Sequence, residues 1–236
     1  MHPLLRLEKT GHTAILTIQN PPANTWNRDS LIALKQTVQA LNAERDIYAL
    51  VITGEGEKFF SAGADLKLFA DGDKAVARDM ARVFGEAFET LSQFRGVSIA
   101  AINGYAMGGG LECALACDLR IAVPSANFFY PVMRLGYLPQ PLDPGRLTAL
   151  IGPSRARMIL LAGQRIGADE ALSWGLIDRI TAPETLIDSA KVEVDYLRTT
   201  GGDESSFIAS AAERPSSIGS PHSGLDRKST RLNSSH

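Results

Sequence analysis

The chain has 236 residues, 44% of them hydrophobic and 21% charged, which is typical of a globular domain with a sizeable core. Its formal net charge of −2 gives no electrostatic reason to expect binding to nucleic acid or to an anionic membrane. No apolar run approaches the roughly 20 residues that span a bilayer, and the N-terminus lacks a secretory pattern. We therefore expect a cytoplasmic protein, whose cysteines, Cys113 and Cys117, are buried thiols on one helix rather than a disulfide or a metal site.

The first half of the chain predicts a hairpin followed by a strand-loop-helix unit. Residues 4–8 and 14–19 are predicted as the hairpin, and residues 29–43 as an amphipathic helix. The apolar strand 48–53 is followed by a segment of small residues, Ser61-Ala62-Gly63-Ala64-Asp65-Leu66. A long amphipathic helix is predicted over residues 74–94.

A second unit of the same kind contains the most informative segment of the chain. An apolar strand over 97–102 ends in Asn-Gly, and three glycines, 108–110, then open a helix that is predicted to end near residue 116. Glycines let a ligand approach the bare backbone, and the first amides of a helix are unpaired donors with positive partial charge. Such amides can stabilise an oxyanion without a metal. Glu112 follows in the same helix and could transfer a proton; the alternative is a tight turn with a carboxylate that only favours the helix dipole.

The remainder predicts a strand at 119–123, a proline-rich loop, and short helices near 146–151, 154–162 and 169–174. A strand over 176–180 and a helix over 184–197 follow. From Thr199 the sequence is rich in Gly, Ser and Pro, so we expect a mobile tail over 199–225. Residues 226–236 are predicted to be a translated sequencing-library adapter, with a natural tail rich in Ser and Arg as the alternative, and we exclude them from the fold. The domain is thus predicted to cover residues 1–198.

The two strand-loop-helix units resemble the crotonase (enoyl-CoA hydratase/isomerase) superfamily. The segment from Ile99 to Leu119 fits its signature, Ser61 to Leu66 fits its thioester-binding loop, and the resemblance runs from about residue 5 to about residue 197. It implies an α/β fold of repeated ββα units wound as a spiral, with the helical C-terminal part largely missing. It also implies a homotrimer or hexamer, although the segment that packs between subunits in this family falls in that missing part.

The resemblance assigns roles to particular residues. The amides of Ala64 and Gly109 would form an oxyanion hole, and the substrate would be an acyl-CoA thioester, with coenzyme A as part of the substrate and no separate cofactor or metal. Substrate-binding positions would be Ala62, Gly63, Asp65, Leu66 and Gly108. Arg28 and Lys58 are candidates for the phosphates of coenzyme A, with ordinary solvated surface charge as an equal alternative.

One position departs from the family pattern. Hydratases of this family carry a second glutamate directly after a proline, where this chain has Val132 after Pro131. Adding water to a double bond requires activation of the water and protonation of the α-carbon, and a valine does neither. Asp143 is a candidate replacement acid or base, although Asp-Pro more often forms a turn.

Three functions remain open at this point. The first is an acyl-CoA lyase or isomerase in which Glu112 shuttles a proton beside the oxyanion hole. The second is decarboxylation or thioester hydrolysis on the same scaffold, which needs the oxyanion hole but no paired glutamates and so suits Val132. The third is a non-catalytic protein that binds coenzyme A esters.

Overall fold

Two β-sheets and the helices around them make up the structure, a computed structural model that describes residues 3–69, 71–135 and 143–200. The strands are β1 (Leu5–Thr10), β2 (Thr13–Ile18), β3 (Ala49–Gly54), β4 (Phe59–Ser61), β5 (Val97–Ile102), β6 (Tyr105–Met107), β7 (Leu119–Ala122), β8 (Asn127–Phe129), β9 (Ile166–Gly167) and β10 (Arg179–Ile180). The α-helices are α1 (Arg28–Ala43), α2 (Lys74–Ser92), α3 (Gly109–Leu115), α4 (Asp143–Ile151), α5 (Pro153–Leu160), α6 (Ala168–Trp174) and α7 (Leu186–Thr200).

The larger sheet has the order β1-β2-β3-β5-β7-β10, and all of its pairs after the antiparallel β1–β2 hairpin are parallel. Every residue of β3 and β5 is buried, as expected for parallel strands that are covered on both faces. Helix α7 packs against β3, β5 and β7 with the apolar residues Leu186, Ala190 and Val194, which recur every four positions along one helix face. The central strands are therefore sealed from water.

The smaller sheet explains how the functional loops are brought together. Its order β4-β6-β8-β9 follows the same sequence of repeats as β3-β5-β7 in the larger sheet, so β3–β4, β5–β6 and β7–β8 are equivalent pairs. This confirms the predicted repetition of ββ units with intervening helices. Because β4, β6 and β8 are parallel, their carboxyl ends lie at one edge, where the segments after residues 61, 107 and 129 begin.

The structure corrects some predicted boundaries. Asp143 begins helix α4 instead of lying in a turn. The strand predicted over 176–180 contains only residues 179 and 180, because the amides of Leu176 and Ile177 instead bind the Ala171 carbonyl at the end of α6. The last helix continues to Thr200, and the predicted mobile and adapter segments beyond it lie outside the described residues.

Both cysteines are buried free thiols, as predicted. Among the helices of the described ranges, none combines the length and the apolar character that a transmembrane span requires.

Candidate active site

The backbone N–H of Ala64 points away from Trp26, the residue with which Ala64 forms a β-bridge. Ala64 forms a parallel bridge with Trp26, in which Trp26 N donates to Gly63 O (2.7 Å) and Asp65 N donates to Trp26 O (2.9 Å). In this pattern the flanking residues make the ladder bonds, so the N–H of Ala64 points to the other side. Within residues 3–69, 71–135 and 143–200 it has no hydrogen-bond acceptor.

The amide of Gly109 is the second free donor at this place. Gly109 is the first residue of α3, and the first intrahelical bond runs from Glu112 N to Gly108 O (3.0 Å). No side chain caps this helix, and the described part of the chain offers the Gly109 N–H no acceptor. Gly108 has φ +47°, a conformation that favours glycine.

The two loops are in direct backbone contact. A Cβ atom built on Gly63 would lie 2.8 Å from the nitrogen of Gly109, and one built on Gly109 would lie 2.6 Å from Phe84 Cε1. Position 63 therefore requires glycine, both for space and for its φ of +85°, whereas a Cβ at position 109 would have to displace the Phe84 ring. The donors of Ala64 and Gly109 thus border one small region of backbone.

The remaining residues of the small-residue loop are held by backbone contacts. Ala62 N donates to Ala23 O (2.9 Å), and the Asp65 carboxylate accepts from Lys67 N (3.1 Å) at the start of a short 3₁₀ turn. Leu66 is 54% exposed, which makes it accessible to a ligand at the surface. The predicted binding of an acyl-CoA ester by this loop remains a prediction.

The two candidate phosphate-binding cations lie at the surface. Arg28 Nε donates to Asp79 Oδ2 (2.7 Å), so its charge is already paired across the contact between α1 and α2. The ammonium of Lys58 lies 5.4 Å from the centre of the Phe59 ring. A phosphate would therefore compete with Asp79 for Arg28, whereas Lys58 has no carboxylate partner among the described residues.

Two carboxyl groups and a phenol meet beside the start of α3. Glu112 and Asp143 are only 4% and 1% exposed, and Tyr130 is 1% exposed. The hydroxyl of Tyr130 is hydrogen-bonded to Glu112 Oε1 and lies 3.2 Å from Asp143 Oδ2. Glu112 is supplied by the first turn of α3, Tyr130 follows β8, and Asp143 begins α4.

Glu112 is strongly biased towards its protonated form. Burial is the largest cause that raises the pKa of Glu112 well above 4.5, and the charge of Asp143 and a hydrogen bond with it act in the same direction. The hydrogen bond from Tyr130 and the charge of Arg146 oppose this shift. Arg146 Nη1 lies 3.9 Å from Asp143 Oδ1, while its Nη2 donates to Glu89 Oε2 (2.9 Å).

Val132 lies at the edge of this cluster. It is half-buried in a 3₁₀ turn, Pro131–Leu135, and its Cγ1 would lie 3.9 Å from a Cβ built on Gly108. It therefore contributes an apolar surface beside the start of α3. The structure brings the predicted replacement, Asp143, next to Glu112, so the site has two carboxyl groups despite the valine.

Two asparagines that the sequence analysis did not single out fix the segment leading into β4. Asn103 Oδ1 accepts from Gly54 N (3.0 Å), and Asn103 Nδ2 donates to Gly54 O (2.9 Å) and Gly56 O (2.6 Å). Asn24 Nδ2 donates to Phe59 O (2.8 Å). The Asn-Gly pair in the signature was the available signal for Asn103, and its role here is to position the loop.

The part of the chain that the structure describes contains no group of three or more His, Cys, Asp or Glu side chains arranged to hold a metal ion.

The chain is similar to known proteins in both sequence and structure. The profile of the enoyl-CoA hydratase/isomerase family matches residues 8–223. A crotonyl-CoA hydratase of Syntrophomonas wolfei is 38% identical over 186 residues, which cover 78% of this chain and 72% of that protein. The structure of DspI from Pseudomonas aeruginosa is 54% identical, with a TM-score of 0.80, and the match covers 83% of this chain and 80% of that one. An enoyl-CoA hydratase from Bacillus anthracis is 32% identical, with a TM-score of 0.79 and coverage of 82% and 76%.

Proposed function

Because the chain belongs to the enoyl-CoA hydratase/isomerase family, we propose that it is an acyl-CoA lyase or isomerase of the enoyl-CoA hydratase type. The observation that carries this proposal is the buried pair of carboxyl groups, Glu112 and Asp143, beside the amide of Gly109, which has no acceptor among the described residues. The names of the relatives, crotonyl-CoA hydratase among them, support the addition of water to an enoyl ester.

The backbone would supply the electrostatic part of the reaction. The thioester carbonyl accepts hydrogen bonds from the N–H groups of Ala64 and Gly109, and these bonds strengthen as the oxygen gains charge in the enolate. Such donors act in a site that excludes water, and they need no reorganisation during the reaction. The contact between the Gly63 and Gly109 backbones supports this assignment, because it holds the two loops at a fixed separation.

The two carboxyl groups would divide the proton transfers. Asp143, next to the positive charge of Arg146, acts as the carboxylate that takes a proton from water as the water oxygen bonds to the β-carbon. Glu112, whose pKa burial raises and whose protonated form is thereby favoured, gives its proton to the α-carbon. The product is a 3-hydroxyacyl-CoA ester, and one proton must then pass from Asp143 back to Glu112.

Val132 supports a second candidate, decarboxylation or thioester hydrolysis. These reactions use the oxyanion hole without a second glutamate at that position. The placement of Asp143 beside Glu112 favours hydration, because it supplies the second group that water addition needs. Binding of an acyl-CoA ester without turnover is the third possibility.

Product mass distinguishes these candidates. The full chain is incubated with enoyl-, malonyl- and saturated acyl-CoA esters, alongside Glu112→Gln. Gain of one water on the enoyl ester, lost in the variant while the ester still binds, supports the proposal. Release of carbon dioxide or of free coenzyme A overturns it in favour of the second candidate. Unchanged esters that still bind would indicate a binding protein.

We also propose that the chain assembles as a trimer or a pair of trimers, as the family resemblance implies. Sedimentation equilibrium of the full chain tests this, and a monomer at micromolar concentration would contradict it.

A further inference from the structure

The hydroxyl of Tyr130 links the two carboxyl groups of the site, and the proposed hydration steps do not involve it. It is hydrogen-bonded to Glu112 Oε1 and lies 3.2 Å from Asp143 Oδ2. A phenol has one proton and can donate it to only one carboxylate at a time. The second contact at Tyr130 is therefore a hydrogen bond only when a carboxyl group carries a proton of its own.

The charge states of Glu112, Asp143 and Tyr130 thus depend on one another, because the three groups share a small number of protons. With both carboxyl groups ionised, the buried cluster would hold two negative charges, and burial away from water makes such a state strongly unfavourable. The hydroxyl proton of Tyr130 would then be the one proton for its two contacts. With one carboxyl protonated, both contacts of Tyr130 are satisfied. The arrangement favours a cluster that holds one carboxyl proton.

Building on the proposed function, we propose that Tyr130 is a positioning residue that joins Glu112 and Asp143 into one proton-sharing unit and returns the proton after each turnover. In the return step the O–H bond of Asp143 breaks as its proton passes to Tyr130 Oη. At the same time the phenol's own proton passes to the carboxylate of Glu112. Tyr130 ends neutral, Asp143 is ionised, and Glu112 is protonated for the next cycle.

The surroundings bias the proton towards Glu112. Arg146, on the same helix as Asp143, lies 3.9 Å from Asp143 Oδ1 and is itself anchored to Glu89 of α2. On α3, the neighbouring Cys113 is a neutral thiol because burial raises its pKa. Arg146 therefore places a positive charge 3.9 Å from Asp143 Oδ1, where it stabilises negative charge on that carboxyl group.

The variant Tyr130→Phe tests the hydroxyl while it keeps the buried ring. We expect kcat for enoyl ester hydration to fall by about 10- to 100-fold with KM nearly unchanged, because only proton transfer is impaired. The hydrogen bond from Tyr130 lowers the pKa of Glu112, so its loss moves the alkaline limb of the pH–rate profile to higher pH. Tyr105→Phe, which removes a hydroxyl that accepts a hydrogen bond from Arg165 and contacts neither carboxyl group, should leave both quantities unchanged.

A readout that does not depend on activity separates this inference from the proposed function. The Glu112 carboxyl is followed by ¹³C NMR across pH in the wild type and in Tyr130→Phe, with its signal assigned by Glu112→Gln. An upward shift of its titration in Tyr130→Phe, together with the lower kcat, supports the proposal. An unmoved titration overturns the proton-sharing unit, and a shifted titration with unchanged kcat overturns the return step. If the wild type hydrates no ester, the proposed function fails, and the titration still decides whether Tyr130 couples the carboxyl groups.

Discussion

The backbones of Gly63 and Gly109 touch, so closely that a Cβ on Gly63 would lie 2.8 Å from the Gly109 nitrogen and 2.7 Å from Met107 O. This contact joins the loop after β4 to the start of α3. Any residue larger than glycine at position 63 must push the two loops apart. The separation of the amides of Ala64 and Gly109 therefore depends on the lack of a Cβ atom at position 63.

We expect Gly63→Ala to lower kcat/KM by about 100-fold or more, because the displaced loop misaligns at least one donor. The matched control is Gly11→Ala, which shares a positive φ (+56°) but has no atom within 4 Å of the added Cβ. Gly11→Ala should lose only stability, by about 1 kcal/mol. Steady-state kinetics and thermal melts of both variants test this, and equal activity in the two would refute it.

The buried carboxyl of Glu112 should make stability fall with rising pH. Its pKa is raised in the folded state, so between 4.5 and the raised value the folded chain binds more protons than the unfolded chain. The stability that Glu112 contributes is complete below 4.5 and is lost as pH rises through the folded-state pKa. Glu112→Gln cannot ionise, so its free energy of unfolding should decline less steeply with pH. Urea titrations from pH 5 to pH 9 measure both slopes, and parallel slopes would contradict the prediction.

Asp143→Asn should lower kcat by about 100-fold or more, because an amide cannot accept the proton of the attacking water. Binding of the ester should persist, since the backbone donors are untouched. The control is Asp188→Asn on α7, where the side chain is 77% exposed, and this variant should leave kcat unchanged. Comparable kcat values for the two variants would remove Asp143 from the proposed mechanism.

Val132→Glu, made in the Asp143→Asn background, should recover at least about tenfold of the lost rate by returning a carboxylate to the cluster. The side chain at position 132 approaches the first residues of α3, close to Gly108. Val132→Gln in the same background has a similar length without a charge and should recover nothing. Equal rates for Val132→Glu and Val132→Gln in this background would show that a side chain at position 132 does not reach the reacting atoms.

Asn103→Asp should destabilise the fold by about 2 kcal/mol, because it keeps the acceptor for Gly54 N but loses the donors to Gly54 O and Gly56 O. The loop leading to β4 would loosen, so KM for the ester should rise as well. Thermal melts and kinetics measure both effects. A variant with the melting temperature of the wild type would show that the loop is held by other contacts.

The sequence predicted the parts of the site that rest on local pattern. The glycines at 108–110 follow an apolar strand and open a helix, so a main-chain donor at the start of that helix could be anticipated without the fold. The second strands of the ββα units, β4, β6 and β8, were implied by the resemblance but could not be located from the pattern, because three residues are too short to display a period. Asp143 could not be settled, since its meeting with Glu112 depends on the packing of α4 against α3. Tyr130 is a polar candidate close to the site in sequence, but the sequence cannot place it, because its contacts with Glu112 and Asp143 depend on the same packing.

The equivalence of the three strand pairs has a consequence for how the chemical groups of the site are distributed. Each repeat places the segment after its second strand at the same edge of the small sheet, and these three segments differ in the groups that they contribute. Two supply main-chain donors, whose separation depends on the close contact at Gly63, and the third supplies only side chains. In the proposed mechanism, a helix next to the sheet edge, α4, supplies through Asp143 the carboxylate that Val132 does not, while the main-chain donors of the other two loops stay in place.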